Sequence, residues 1–473
     1  VTATALNSNG EAVLNLLVST LPDSVNKQRE ANQLQLVFPE NTDIQDEDSR
    51  LKALSVLDSL RTLLTHSVDA EAVNLFLGGI FAYDLIANFE RLPNVPDSDN
   101  TCPDFCFYVA ETLIHIDHIH KTTHLQAALF GGESGAHELP RLQHRLASLK
   151  EYCNHFRAST VSKKETLPSQ LNVDKSDKSY CADVEKLKGN IRKGDIFQVV
   201  PSRCFSLPCP QPLIAYRELK RTNPSPYMFY MNDQDFTLFG ASPESAVKFE
   251  HKSRQVEMYP IAGTRRRGLN ADGSINLDLD GRLELELRQD SKETAEHMML
   301  VDLARNDIAR ISEPGSRYVK DLLKVDRYSH VMHLVSRVVG TLRHDLDALH
   351  AYQACMNMGT LTGAPKIRAS ELIREVEQKR RGSYGGAVGY LNSDGDMDTC
   401  IVIRSAFVKN GIAYVQAGAG VVFDSKPQAE ADETRGKAAA VLNAIALAHG
   451  TTLAAITAQA SQAAQMHKEA AHG

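Results

Sequence analysis

Short apolar runs separated by turn signals succeed one another between Phe236 and Ala417, and this pattern constrains the fold more than any other feature. Phe236–Gly240, Gln255–Pro260, Arg337–Leu342, Val388–Leu391, Thr399–Val408 and Ile412–Ala417 read as strands. The turn signals Asn392–Gly395 and Asn410–Gly411 suit antiparallel hairpins. Helical spacing recurs at Val184–Lys193, Lys292–Ile311, Lys366–Arg380 and Gln428–Ala448. Strands and helices come in runs rather than in strict alternation. The expectation is an α+β fold with antiparallel sheets, not a doubly wound parallel sheet.

At 473 residues the chain exceeds one typical core, so more than one unit is expected. An N-terminal unit is assigned to 1–157, with strand-rich Leu75–Ile86 and Phe105–Leu113 and helical Leu51–His66. The Ser-, Lys- and Thr-rich stretch that follows gives a linker at 158–179, then the main domain at 180–450 and an Ala-rich tail at 451–473. A net charge of -7 argues against a nucleic-acid surface, and no apolar stretch is long enough to span a bilayer. Val1–Gly10 lacks the plan of a signal peptide. Eight cysteines without framework or Cys-x-x-Cys spacing suit reduced thiols in a cytoplasmic protein.

Two helix starts carry paired carboxylates. Asp290-Ser-Lys-Glu293 with Glu296 fits a capping box followed by an acid one turn on, and Glu430 and Glu433 repeat the spacing after Ser425-Lys-Pro427. Early-turn acids complement the helix dipole, which accounts for them without any function. The alternative is a metal site. Like charges on one helix face repel by about 0.2–0.5 kcal/mol, and a divalent cation between them reverses the sign. Mg²⁺ accepts a few carboxylates and takes remaining ligands from water and substrate.

Glycine-containing segments cluster in the same region: Pro260–Arg265, Met358–Lys366, Gly382–Gly389 and Gln416–Val421. Gly359 to Lys366 lacks the spacing of a phosphate loop, and Gly418-Ala-Gly420 lacks the third glycine of a dinucleotide fold. What remains is close backbone approach to a ligand, with Thr hydroxyls and an Arg suited to a carboxylate. Arg404, in the apolar run Cys400–Arg404, is either an outward surface residue or a buried cation awaiting an anion. His333 sits among apolar neighbours, where histidine is usually structural. The run His115, His118, His120 and His124 lacks cysteine partners and reads as a solvated face.

In order, Gly194–Ser202, Asn223–Phe229, Gly240–Glu244, Pro260–Arg265, Glu293–Asp307, Val331–His333, Gly359–Lys366, Gly382–Gly386, Ile403–Arg404, Gly418–Gly420 and Glu430–Lys437 resemble the chorismate-utilising enzymes, and among them the anthranilate synthase component I family. Cys102–Tyr108 extends the likeness more weakly. Thr362 stands where Ser is usual and Arg266 where Pro is common.

The resemblance implies the α+β fold of that family, large antiparallel sheets forming a sandwich with helices on the outside. It also implies a reaction: chorismate and ammonia give anthranilate and pyruvate, the first step of tryptophan biosynthesis. It implies Mg²⁺ bound by Glu296 and Glu433, with Glu293 and Glu430 holding metal-bound waters. Tyr384, Arg404 and Gly420 correspond to contacts to the enolpyruvyl carboxylate, and Gly418 and Gln198 to further substrate-binding positions. Thr360, Gly263 and Thr264 correspond to contacts near the ring carboxylate. His333 lies near the departing C4 hydroxyl, Glu244 is an acid/base carboxylate, and Lys437 is an active-site lysine without an assigned step. Asn223, Pro224, Ser225, Pro226, Tyr227 and Met228 resemble half of a tryptophan inhibitor site.

Two positions discriminate among relatives. Gln198 stands where isochorismate and salicylate synthases carry a lysine, and Ala262 where aminodeoxychorismate synthase carries a nucleophilic lysine. A methyl group cannot be that nucleophile, so ammonia itself is the expected attacker. Aminodeoxychorismate synthase component I is the nearest rival; a non-catalytic ligand-binding subunit is the rival from another class. No cysteine sits in a Gly-x-Cys-x-Gly elbow, so glutamine hydrolysis is expected on a separate amidotransferase subunit, component II, in a heterotetramer of two of each. Roughly the first sixty-odd residues of the family pattern, including a Leu-Leu-Glu-Ser stretch for the inhibitor, are expected to be missing before Val1. A protein starting at Val1 would then lose feedback inhibition.

Overall fold

The computed structural model describes residues 1–40, 46–66, 75–131, 135–156, 171–328 and 331–458. Most of the expected linker and the end of the expected tail lie outside the described residues. Two antiparallel sheets dominate. The larger has nine strands, ordered Ile261–Arg266, Val331–Thr341, Gln255–Met258, Ser245–Glu250, Met397–Ile401, Ala387–Asn392, Phe76–Phe81 and Phe105–Val109, with Tyr318–Arg327 also paired to Val331–Thr341. The smaller has six: Tyr227–Asn232, Thr237–Ser242, Ser405–Lys409, Ile412–Gly418, Ser202–Pro208 and Asn172–Val173.

The sheets stack through alternate side chains. Ile80, Val388 and Cys400 from the larger sheet share one buried cluster with Leu238 and Phe407 from the smaller. Burying each large aliphatic or aromatic side chain of this layer contributes about 1.5–3 kcal/mol. Helices cover the outer faces. Pro212–Thr222 and Pro427–Ala448 pack on the smaller sheet through Leu219, Ala438, Val441, Leu442 and Ile445. Ser291–Ala309 and Ala348–Cys355 cover the larger sheet through Val301, Ala304, Ile308 and Leu349. This is the expected sandwich with helices outside.

Hairpins form where turn chemistry called for them: Asn410 and Gly411 both take positive φ (51° and 75°), the geometry of a two-residue turn that matches strand twist. Other expectations need correction. Leu51–His66 is two helices, Glu47–Lys52 and Asp58–His66, rather than one. The helix expected from Val184 starts at Asp177, because Ser176 caps it by accepting from the Ser179 N–H. Lys366–Arg380 ends as a helix at Glu377, where Gln378 turns left-handed. The strand expected over Thr399–Val408 is two strands in different sheets, Met397–Ile401 in the larger and Ser405–Lys409 in the smaller. Phe76–Phe81 and Phe105–Val109, before position 157, pair directly into the larger sheet.

Candidate active site

The chain passes between the sheets twice at adjacent points. It leaves the smaller sheet after Ser242 and enters the larger at Ser245; it returns between Ile401 and Ser405. The crossings are stitched together: the Ile401 N–H donates to the Glu244 carbonyl (3.0 Å) and the Ala241 N–H to the Arg404 carbonyl (3.1 Å). Arg404 carries the second crossing at a φ of 50°. Its place in the sequence left open an outward or an inward reading; the side chain turns inward, onto the wall of a cavity of ≈ 650 Å³.

That cavity collects the residues expected from the sequence. Gln198, Glu244, Gly263, Thr264, His333 and Thr360 line it, as do Tyr384, Arg404, Gly418, Gly420 and Lys437. All four paired glutamates, Glu293, Glu296, Glu430 and Glu433, face it too, so the two acidic helix starts converge on one space. Asn223, Pro224 and Ser225 line the same cavity, whereas Tyr227 sends its hydroxyl to Asp398 (3.0 Å). Pro226 and Met228 are not on the cavity wall. Lys292, Arg265 and Tyr328 were not singled out from sequence. Lys292 and Tyr328 line the cavity, and Arg265 bonds Glu293 at its edge. Lys292 stands next to Glu293 in a strong motif, and its cation beside the paired acids is the signal that could have found it.

Charge in the cavity is held far from its usual state. Burial pushes the Glu244 carboxyl up to about 8, against the opposing pull of the Thr360 hydroxyl and Arg404. Burial, then repulsion from Glu293 and Glu433, pushes Glu296 up to about 7. Burial and Arg404 push His333 down to about 4, so its ring is neutral at neutral pH; its Nδ1 lies 2.9 Å from the Thr264 hydroxyl. Burial lowers Arg404 itself, opposed by Tyr384, Glu433 and Glu244. Among the described residues, Gln198 Oε1 is buried without a hydrogen-bond partner, and Thr360 Oγ1 has only the Glu244 carboxyl facing it. Such groups cost free energy until something completes them.

Gly420 marks where backbone comes closest. A Cβ there would stand 2.7 Å from Gln198 Nε2 and 3.1 Å from Glu296 Oε1. The expected capping box forms only in half. Asp290 accepts from the N–H groups of Lys292 and Glu293, but the Glu293 carboxylate bonds Arg265 (3.1 Å) instead of returning to the cap. Glu433 pairs with Lys437 (2.7 Å), and Glu296 accepts from Gln198 Nε2 (3.0 Å).

A magnesium ion suits this donor set in its chemistry. The ligands are hard carboxylate oxygens, and the mutual repulsion that raises Glu296 is a negative excess which a divalent cation relieves. As the side chains stand, no three His, Cys, Asp or Glu among the described residues are grouped to hold an ion. Binding would require Glu293, Glu296 and Glu433 to exchange their present partners. The histidines at 115, 118, 120 and 124 are exposed on the hairpin Thr112–Asp117/Thr122–Ala127, as expected of a solvated face. All eight cysteines are free, and no helix among the described residues is long and apolar enough to cross a membrane.

A two-sheet sandwich whose crossings aim an acid and an arginine into a glutamate-lined cavity is the architecture of a chorismate binding enzyme. The pattern of that family matches residues 21–443, and the chain belongs to it. Within the family its relatives include anthranilate synthase component 1 of Vibrio cholerae, 62% identical over 95% of this chain and 86% of the relative. Component 1 of Escherichia coli is 60% identical over the same shares. The crystal structure of anthranilate synthase component I from Streptococcus pneumoniae superposes with a TM-score of 0.71 at 33% identity, covering 89% of this chain and 90% of that one. The menaquinone-specific isochorismate synthase of Escherichia coli, at 20% identity and a TM-score of 0.65, shares the fold.

Proposed function

We propose that this chain is the chorismate-converting subunit of an anthranilate synthase, combining chorismate with ammonia to give anthranilate and pyruvate. One observation carries the reading: a buried carboxyl, Glu244, that keeps its proton at neutral pH beside an arginine, in a cavity large enough for a substrate with two carboxylates. Ammonia adds at ring C2 as the C4 hydroxyl departs, and pyruvate is then eliminated as the ring becomes aromatic. Hydroxide is a poor leaving group, so a proton must reach the C4 oxygen. Glu244 supplies it. His333, neutral and tied to Thr264, orients the hydroxyl rather than acting as the charged acid.

Arg404, Tyr384 and the Gly418–Gly420 backbone hold the enolpyruvyl carboxylate, and Thr360, Gly263 and Thr264 hold the ring carboxylate. Glu296 and Glu433 would hold Mg²⁺ directly, with Glu293 and Glu430 through water. When bound, the ion offers the ring carboxylate a Lewis acid and fixes its pose. Ala262, on the strand Ile261–Arg266 at the cavity wall, leaves no amine for an enzyme-bound intermediate, which favours ammonia as nucleophile over an aminodeoxychorismate-type reaction. The ammonia comes from a glutamine amidotransferase partner, component II, in a cytoplasmic assembly of two of each. Tryptophan inhibits through the Asn223–Met228 segment.

One assay tests the reading: purified chain, chorismate, Mg²⁺ and ammonium at mildly alkaline pH, following anthranilate fluorescence and pyruvate. Both products should appear together, and glutamine should not replace ammonium without a partner. Isochorismate, a 4-amino product, or no reaction would each overturn it.

A further inference from the structure

Behind Glu244, on the side away from the large cavity, lies a second, small cavity of ≈ 20 Å³. Glu244, Leu300 and Thr360 line both spaces, so Glu244 stands in the partition between them. About 10–15 Å³ measured in this way holds one water, provided two or more polar groups meet it. Three do. They are Glu244, Thr360, whose hydroxyl also faces the Glu244 carboxyl, and Asp307.

Asp307 is an unexpected carboxylate in such a place. It lies on the same face of the Ser291–Ala309 helix as Glu296 and is 5% exposed. Its Oδ2 takes the Lys366 ammonium at 2.5 Å, and that ammonium also donates to the Cys355 carbonyl at 2.7 Å. Lys366 is the first residue of its helix, where the dipole disfavours a cation. A buried ion pair contributes little to stability beyond what well-packed apolar residues would give. Both residues belong to motifs that follow the substrate contacts, yet neither reaches the large cavity.

We propose that the small cavity holds one water bonded to Asp307, Thr360 and Glu244, and that the Asp307–Lys366 pair is thereby a positioning device for the Glu244 carboxyl. Burial raises the Asp307 carboxyl and the Lys366 ammonium opposes that rise. Paired in this way as an anion, Asp307 draws one hydrogen of the water, which turns the other toward the rear oxygen of Glu244. The proton of Glu244 is then left on the oxygen facing the substrate. Arg404, Lys437 and Tyr328 face Glu244 from the large cavity, and Tyr259, Asp307 and Lys366 stand behind it. Of these, only Asp307 is an anion on the rear side, so it favours the protonated carboxyl. The inference rests on the acid role given to Glu244 above.

The test uses the full chain in two arms. Infrared difference spectra between wild type and Glu244→Gln isolate the carboxylic acid stretch of Glu244 without requiring turnover. In Asp307→Asn, and in the charge-neutral double variant Asp307→Asn/Lys366→Met should the single variant fold poorly, that band should move. Its titration midpoint should fall by about one unit, tenfold in proton affinity. In the kinetic arm, kcat for anthranilate should fall about tenfold with the KM for chorismate unchanged, as expected for a partial loss of general-acid catalysis. An unmoved band and midpoint in both variants would make the ion pair structural only and overturn the proposal. If the band behaves as expected but wild type forms no anthranilate, the functional reading fails and the positioning role stands.

Discussion

Two collections of buried charge lie close together in the sandwich, and they are built in opposite ways. Around Glu377 everything is satisfied. Its Oε1 accepts from the Ser202 N–H and hydroxyl (2.8 Å each) and from Arg381 Nη2 (2.6 Å), and its Oε2 accepts from Arg381 Nε (2.9 Å). The remaining Arg381 donors reach the Leu361 and Val200 carbonyls, and its guanidinium lies over the Tyr83 and Tyr384 rings. Around Glu244 and Glu296 the charges are left unbalanced: the acids are raised, Arg404 is lowered by burial with Glu433 and Glu244 opposing, and Gln198 keeps an unused oxygen among the described residues. A saturated network fixes one geometry. An unsaturated one stores free energy that a ligand with complementary charge releases. Tyr384 belongs to both, with its ring against Arg381 and its face on the large cavity, so the rigid set holds a wall of the open one.

The contrast can be broken in order of expected effect. Glu296→Gln should remove turnover to the detection floor while the melting temperature stays level or rises, because the variant relieves repulsion from Glu293 and Glu433. Full activity in that variant would end its place in the open set. Arg381→Met, in the closed set, should instead lower the unfolding free energy by about 3–5 kcal/mol, the cost of stranding the Glu377 charge, and shift the denaturation midpoint accordingly. A midpoint close to wild type would show that the network is not the structural half of the pair. Glu244→Gln should lower kcat by about a hundredfold or more. The wild-type rate, plotted against free ammonia, should decline as pH rises through about 8, where Glu244 loses its proton, and the variant should lack that limb.

The smallest effect concerns stability. Glu244 binds its proton more tightly folded than unfolded, since its folded value is raised from 4.5 to about 8. Its contribution is therefore complete below about pH 4.5 and lost as pH rises toward 8. Wild type should lose melting temperature relative to Glu244→Gln across that window, on the order of a few degrees. Parallel curves would mean that Glu244 is not desolvated in solution.

Much of the open set was legible in the sequence because its residues lie in segments whose order is distinctive: Glu293–Asp307, Gly359–Lys366 and Glu430–Lys437. The α+β class followed from runs of strands separated by turn chemistry. The two sheet crossings did not follow. Alternation along Thr399–Val408 is continuous, and a period of two reports which side a residue faces but not which sheet it has joined. That Arg404 sits at such a crossing, with positive φ, depends on its bond from Ala241 and on the pairing of Ser405 with Gly240 and of Ile401 with Glu244, more than 150 positions away in the chain. The closed set was invisible for a similar reason. Ser202, Leu361 and Glu377 meet only after three segments have packed. Paired glutamates could be read as caps or as ligands; Asp290 turns out to cap while Glu293 bonds Arg265, a division of labour that spacing alone leaves open.

The stitched crossings carry a consequence for how such a sequence can change over time. Because Ile401 is bonded to the backbone of Glu244 and Ala241 to that of Arg404, a residue gained or lost in either flanking strand would displace the acid and the cation together. Length variation should therefore be excluded from Thr237–Glu250 and Met397–Lys409, while substitutions on their outward faces are tolerated. The separation between these strands in the chain is free to drift, but the count of residues within each is as binding as a reading frame.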